Sequence, residues 1–352
     1  MNNTTYNNVT LEFFKSVSDY YLNKCNCKKI KVSRKDLVRY AISIGEFSNT
    51  TLDDQGITFY TSLVNMAFYE SKDKFIMGNS YKNAETTIKT SIGFLIGMIS
   101  AKCVAEKEFK IDYLFHLKDP NIDYSSSGKV PDFFGIAPHN NGHKAYIIEA
   151  KGTVMKRVGN NRVTHAKNQT ESVTEIKLDD GKNVITYNNF KRHVVTSSYR
   201  NDEYIISDID PDENNGNKKI YINQNLAYFN YYRNIFNFLN NNEQENFKTG
   251  SLEFIVVRTT IGKIGIDKNI YSILKDYQDI FSQQSLFSKK VLNSKNQTTY
   301  TKGEKLEKIS GLSEKIKKLD NFYKYFEVME NNQDISLGYD GIILYDLTRI
   351  AS

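Results

Sequence analysis

Two carboxylates and a lysine stand out by type and spacing. The stretch from Pro131 to Gly152 reads PDFFGIAPHNNGHKAYIIEAKG, with Asp132 near its start and Glu149-Ala150-Lys151 near its end. Lys144 to Lys151 is rich in strand-favouring residues. Side chains alternate along a strand, so Ile147, Glu149 and Lys151 share one face and Tyr146, Ile148 and Ala150 the other. Val130 to Ala137 also reads as a strand, and Pro131 suits its first position, where no ladder N–H is needed. Between them Pro138 to His143 is turn-rich, and Asn141-Gly142 is a strong hairpin dipeptide. A hairpin carries Asp132 back towards Glu149, although 149 − 132 = 17 positions separate them.

Such a group suits a hard divalent cation. Mg²⁺ takes oxygen ligands at about 2.0–2.1 Å and keeps several waters, so one or two carboxylates suffice with a substrate phosphate. Asp132 and Glu149 supply the carboxylates, and the Ala150 carbonyl adds a third oxygen. Mg²⁺, or Mn²⁺ in its place, would acidify a water and offset charge growing on a phosphodiester. Lys151 would orient that water or stabilise the transition state.

The residues P-D followed by E-A-K resemble the signature of the PD-(D/E)xK, or restriction-endonuclease-like, nuclease superfamily. Its core runs helix, three strands, helix, strand. Here Asn83 to Ala105 reads as the first helix and Lys110 to Leu117 as the first strand, followed by the two motif strands. Asn160 to Ile176 reads as the second helix, capped by Asn160-Asn161, and His193 to Ser198 as the last strand. The resemblance covers about residues 80–210. It implies an α/β fold with a mixed sheet flanked by helices, and Asp132, Glu149 and Lys151 as catalytic residues. Many members place a Gln or Lys of the second helix at the site, which points to Gln169 first and Lys167 second. Some add a carboxylate from the first helix: Glu85 is the candidate metal ligand, with Glu70, Glu106 and Glu108 as rivals. Lys156, Arg157, Arg162 and Lys167 follow the motif without an intervening acid, a pattern suited to a phosphate backbone; a solvated loop is the plainer reading.

The resemblance implies a Mg²⁺-dependent DNA endonuclease of restriction or phage-defence type. DNA is the expected partner, with a homodimer and a methyltransferase or other subunit as further ones. Two readings compete: a catalytically silent DNA-binding or scaffold subunit, and a phosphodiester or nucleotide hydrolase that is not a nuclease. No phosphate-cradling G-x-x-x-x-G-K-[ST] loop is present.

Composition sets outer bounds. A net charge of +6 favours nucleic acid modestly. With 39% hydrophobic residues in 352, a core or two can form. Three cysteines exclude a disulfide scaffold. Cys25-Asn-Cys27 has the look of half a zinc site, but no second Cys or His pair follows at suitable spacing, so free thiols are expected. The polar N-terminus lacks a signal-peptide core, and the apolar run Ile92 to Ile99 is shorter than the roughly 20 residues of a membrane span. A soluble cytoplasmic protein is expected.

The expected organisation is a helical region over residues 1–80, a nuclease core over 81–210 and a mixed α/β elaboration over 211–352. In the first, Phe13, Phe14, Val17 and Tyr20-Tyr21 repeat at helical spacing, and Arg34 to Ile44 and Phe59 to Tyr69 read as helices. Asp208 to Asn217 is polar and turn-rich and marks a boundary. Beyond it Asn223 to Asn240 reads as a helix, Phe254 to Arg258 as a buried strand, Lys302 to Glu330 as lysine-rich helices and Ile342 to Tyr345 as a last strand added to the sheet. Asp340 and Asp346, flanking that strand, are secondary catalytic candidates.

Overall fold

The structure, a computed structural model, describes residues 6–44, 52–119, 122–126, 128–139, 142–210, 216–281, 306–319, 322–332 and 334–347. Parts of the Asn141-Gly142, Asp208 to Asn217 and Lys302 to Glu330 segments lie outside the described residues.

The first eighty residues fold as β1 (Tyr6–Phe14), α1 (Val17–Leu22), β2 (Asn26–Ser33), α2 (Arg34–Ile44), α3 (Asp54–Ala67), β3 (Phe68–Ser71), β4 (Lys74–Met77) and the start of α4 (Asn79–Asn83). The expected helical region is therefore corrected to a mixed one. Phe13 and Phe14 lie on a strand, because Asn7, Val9 and Leu11 are buried on one face of β1 and Glu12 and Phe14 on the other. A strand covered on both faces loses the clean alternation by which strands are read.

The middle of the chain supplies α5 (Thr86–Lys107), β5 (Tyr113–His116), β6 (Asp123–Tyr124), β7 (Phe133–His139), β8 (Gly142–Gly152), α6 (Asn160–Glu171), β9 (Val173–Asp179), β10 (Val184–Tyr187), β11 (Lys191–Arg200) and β12 (Glu203–Ile209). Two expectations shift. The second helix ends at Glu171 rather than Ile176: Val173, Ile176 and Leu178 are buried on β9, which pairs with a later strand. Its N-cap is Gly159, not an asparagine.

The remainder forms β13 (Lys218–Asn223), α7 (Gln224–Asn240), β14 (Gln244–Thr249), β15 (Leu252–Thr259), β16 (Gly262–Asp267), α8 (Lys268–Lys275), α9 (Gln278–Phe281), α10 (Leu312–Lys317), α11 (Phe322–Asn331), β17 (Ile335–Leu337) and β18 (Ile342–Tyr345).

The result is a mixed α/β protein with three sheets. The largest has nine strands: its main path runs β2-β1-β12-β11-β8-β7-β5, and β4 joins at β12 carrying β3. A four-stranded sheet runs β10-β9-β13-β6, and a five-stranded one β14-β15-β16-β18-β17. The last strand thus joins its own sheet, not the one that holds the motif.

Helices cover both faces of the large sheet. α5 lies against β8 so closely that a Cβ on Gly152 would sit 1.9 Å from the Gly93 carbonyl oxygen, and one on Gly97 would sit 2.7 Å from the Gly152 nitrogen. Glycine at these positions lets the backbones touch. Gly152 therefore faces α5, and by alternation Lys151 and Glu149 face the other side. There Val163 and Ala166 of α6 pack with Val194, Ile209, Phe14 and Tyr20. Among the described residues α5 alone has the length and apolar composition of a membrane span, and most of its apolar window is buried inside the protein.

A buried ionic cluster joins α2 and α5 to the C-terminal sheet. Arg39 donates to both Glu106 oxygens at 2.9 and 2.6 Å and to Ser336 at 2.8 Å, and Tyr40 donates to Glu106 at 2.8 Å. Lys102 pairs with Asp340 at 3.2 Å, and Tyr231 donates to the same carboxylate at 2.6 Å.

Candidate active site

Antiparallel register brings the motif together. Phe133 pairs with Ile148, so one step further Asp132 stands opposite Glu149. The Ala150 N–H donates to Asp132 Oδ2 at 2.8 Å, and Leu117 N–H donates to the Asp132 carbonyl at 2.8 Å. The first bond fixes the carboxylate against β8, and the second ties Asp132 to the end of β5. Both Asp132 and Glu149 are 1% exposed.

Two lysines meet these carboxylates. Lys151 Nζ contacts Glu149 Oε1 and lies 3.3 Å from the Ala150 carbonyl oxygen. Lys118 Nζ donates to Asp132 Oδ1 at 2.6 Å. Glu149 Oε2 is buried and has no hydrogen-bond partner among the described residues. Burial first, and then the charge of Asp132, push the Glu149 carboxyl up to about 7, against the opposing pull of Lys151 and Lys118. An orphaned oxygen in a desolvated pair of acids is a place where added positive charge is strongly favoured. The Lys151 ammonium already lies between Glu149 and the Ala150 carbonyl. Asp132, Glu149 and that carbonyl are thus the oxygens that would hold a hard divalent cation.

The other sequence candidates separate. Gln169 donates from Nε2 to the Val130 carbonyl at 3.0 Å; it braces the segment that leads into Asp132 and does not touch the carboxylates. Lys167 pairs with Glu171 at 3.4 Å. Arg162 donates to the Gly152 carbonyl at 3.3 Å. Arg157 stacks its guanidinium 3.6 Å from the centre of the Tyr20 ring, packed inward rather than presented to a phosphate. Lys156 is exposed.

Glu85 is not part of this group. It is exposed at the N-cap of α5, where it accepts from Thr87 N–H at 2.7 Å; hydrogen bonding to that turn lowers its pKa. Its rivals are paired elsewhere: Glu70 with Arg34, Glu106 with Arg39 and Glu108 with Lys28. Asp340 is held by Lys102 and Tyr231 in the ionic cluster, and Asp346 sits at a left-handed turn with φ 51°.

Sequence reasoning missed Lys118. It lies 132 − 118 = 14 positions before Asp132, and only the pairing of β5 with β7 brings the two together. No local pattern marks it. Lys118 also borders a cavity of about 240 Å³ walled by Phe115, Ile122, Leu226, Tyr231 and Ile235. Asp132, Glu149 and Lys151 do not line that cavity, so the acids and the cavity are separate features.

Comparison of the chain with protein-family models, with curated proteins and with solved structures finds no match.

Proposed function

We propose that the protein is a metal-dependent endonuclease that hydrolyses DNA phosphodiester bonds, built on a PD-(D/E)xK core. One observation carries this reading: Asp132 and Glu149 are buried side by side, one Glu149 oxygen is orphaned, and two lysines converge on the pair. Counting only the large sheet and the helices on it, the order α5, β5, β7, β8, α6, β11 follows the helix, three strands, helix, strand of that superfamily; β6, β9 and β10 intervene in the chain and belong to the four-stranded sheet.

A bound Mg²⁺ or Mn²⁺ would supply positive charge to the scissile phosphate and acidify an attacking water. The chain's own contribution is positional. Asp132 is held by the Ala150 N–H, so its carboxylate is oriented before anything binds. Glu149, with its raised pKa, accepts a proton near neutral pH and ionises fully only when positive charge approaches. Lys151 is close enough to the carboxylates to turn from Glu149 to a phosphate oxygen as negative charge develops there. Lys156, exposed just beyond the motif, would be the residue to meet the DNA backbone.

The test is cleavage of supercoiled plasmid and phage DNA by the purified chain with Mg²⁺, with EDTA, and by Asp132→Ala. Metal-dependent cleavage that falls about a hundredfold or more in the variant supports the reading. Salt-sensitive DNA binding with no metal-dependent cleavage would instead favour a binding subunit.

A further inference from the structure

A second group of ligand atoms lies on the same sheet face, away from the carboxylate pair. Register sets a row across the strands: Lys151 pairs with Thr196, Thr196 with Ser207, Ser207 with Glu12, and Glu12 with Cys27. Paired residues project from the same face, so the row runs from β8 to β2. At its far end Cys25 joins in. Cysteines two apart on a strand would point the same way, but Cys25 precedes β2, in the turn that follows the left-handed Asn23. That turn brings its sulfur to 3.2 Å from Cys27 Sγ. Both sulfurs and one Glu12 carboxylate oxygen lie within 4.8 Å of one another.

We infer that Glu12, Cys25 and Cys27 form a Zn²⁺ site at the β1–β2 end of the large sheet. Zinc takes thiolate sulfur at about 2.3 Å and carboxylate oxygen at about 2.0–2.2 Å, so tetrahedral ligands lie roughly 3.3–3.8 Å apart. The two sulfurs, 3.2 Å apart, would open slightly, and the carboxylate oxygen, within 4.8 Å, would close by up to about an ångström. Two sulfurs and one oxygen select a borderline-soft ion over Mg²⁺. Water completes the fourth position.

The charges balance. Arg200 donates to the two Glu12 oxygens at 2.7 and 3.2 Å, and Ser207 donates to Oε2 at 3.1 Å. On binding, the two thiols release their protons to solvent. The two thiolates and Glu12 then carry three negative charges, matched by the divalent ion and Arg200. Zinc would pin the α1–β2 turn to β1, which lies inside the sheet between β2 and β12.

The experiment uses the full chain, stripped of metal under a reductant that does not bind metal, then titrated with Zn²⁺ and separately with Co²⁺. The expected result is on the order of one tightly held zinc per chain, and a sulfur-to-cobalt charge-transfer band that zinc displaces. Cys27→Ser changes an exposed residue and leaves one thiolate, so it should roughly halve the band at saturating cobalt and weaken zinc binding about tenfold or more. Glu12→Gln should keep the band and weaken the affinity; because Glu12 also holds Arg200, Cys27→Ser decides if that variant fails to fold. Repeating the titration on Asp132→Ala keeps the carboxylate pair out of the result. A reduced chain that shows no charge-transfer band while both thiols react freely at saturating zinc would overturn the inference. So would equal zinc affinity in the wild type and Cys27→Ser. DNA cleavage is not a readout, so the outcome is independent of the nuclease reading.

Discussion

At the scale of the residue, Glu149 governs the pH behaviour. Its folded value of about 7 lies above its ordinary 4.5, so in the metal-free chain the neutral form is the stable one. That contribution is complete below about pH 4.5 and is lost as pH rises through about 7. Glu149→Gln should therefore change little near pH 4.5 and stabilise the metal-free chain by on the order of 2–3 kcal/mol at pH 8. Urea unfolding at the two pH values checks this; equal effects at both would mean that Glu149 is well solvated after all. The lysines act in the opposite sense. Lys151 and Lys118 both lower the Glu149 value, Lys151 more strongly. Replacing either with Ala should move the pH midpoint of metal binding upward, further for Lys151. Under the nuclease reading, Lys151→Ala should also slow single-turnover cleavage by about 10²–10³ while leaving DNA affinity within about tenfold.

At the scale of the element, the contact between α5 and β8 fixes where the motif strand sits. Gly152 meets backbone, not a flexible side chain, at 1.9 Å from where its Cβ would be. Backbone cannot rotate away, so Gly152→Ala should push the helix off the sheet and cost about 1–3 kcal/mol or more. A thermal melt reads the loss, and the far-UV circular dichroism should keep its mixed α/β shape. An unchanged melting temperature would show that α5 does not seat on Gly152. The boundaries of α6 and β9 carry a related lesson. Val173 to Ile176 reads as the end of the second helix and not as strand, because the partner that selects the strand, β13, lies about 45 positions downstream.

At the scale of the whole molecule, the Arg39, Glu106, Lys102 and Asp340 cluster joins the first eighty residues, α5 and the C-terminal sheet. Arg39 is 0% exposed and Glu106 1%. Arg39→Met leaves Glu106 buried without its main counter-charge, and should cost about 3–5 kcal/mol. The expected signature is a loss of stability across all three sheets in one cooperative transition. Separate unfolding of the five-stranded sheet, with the large sheet unaffected, would show that the cluster does not couple them.

The motif strands are readable from local sequence. Alternation in Lys144 to Lys151 put Glu149 and Lys151 on one face, a turn-rich segment returned the chain, and the pairing of β7 with β8 placed Asp132 opposite Glu149. Such facts are local, set by a two-residue period and a hairpin, and are readable from a window of about twenty residues. Helices α2, α5 and α7 were legible for the same reason. The rest depends on how distant strands come together. Lys118 reaches Asp132, Glu12 reaches Cys25 and Cys27, and Asp340 turns out to be an ionic-cluster residue, through pairings that join distant parts of the chain. Glu85 looked like a ligand by position and caps a helix instead. Side-chain roles of this kind depend on which strand lies next to which, and one-dimensional periodicity carries no information about that.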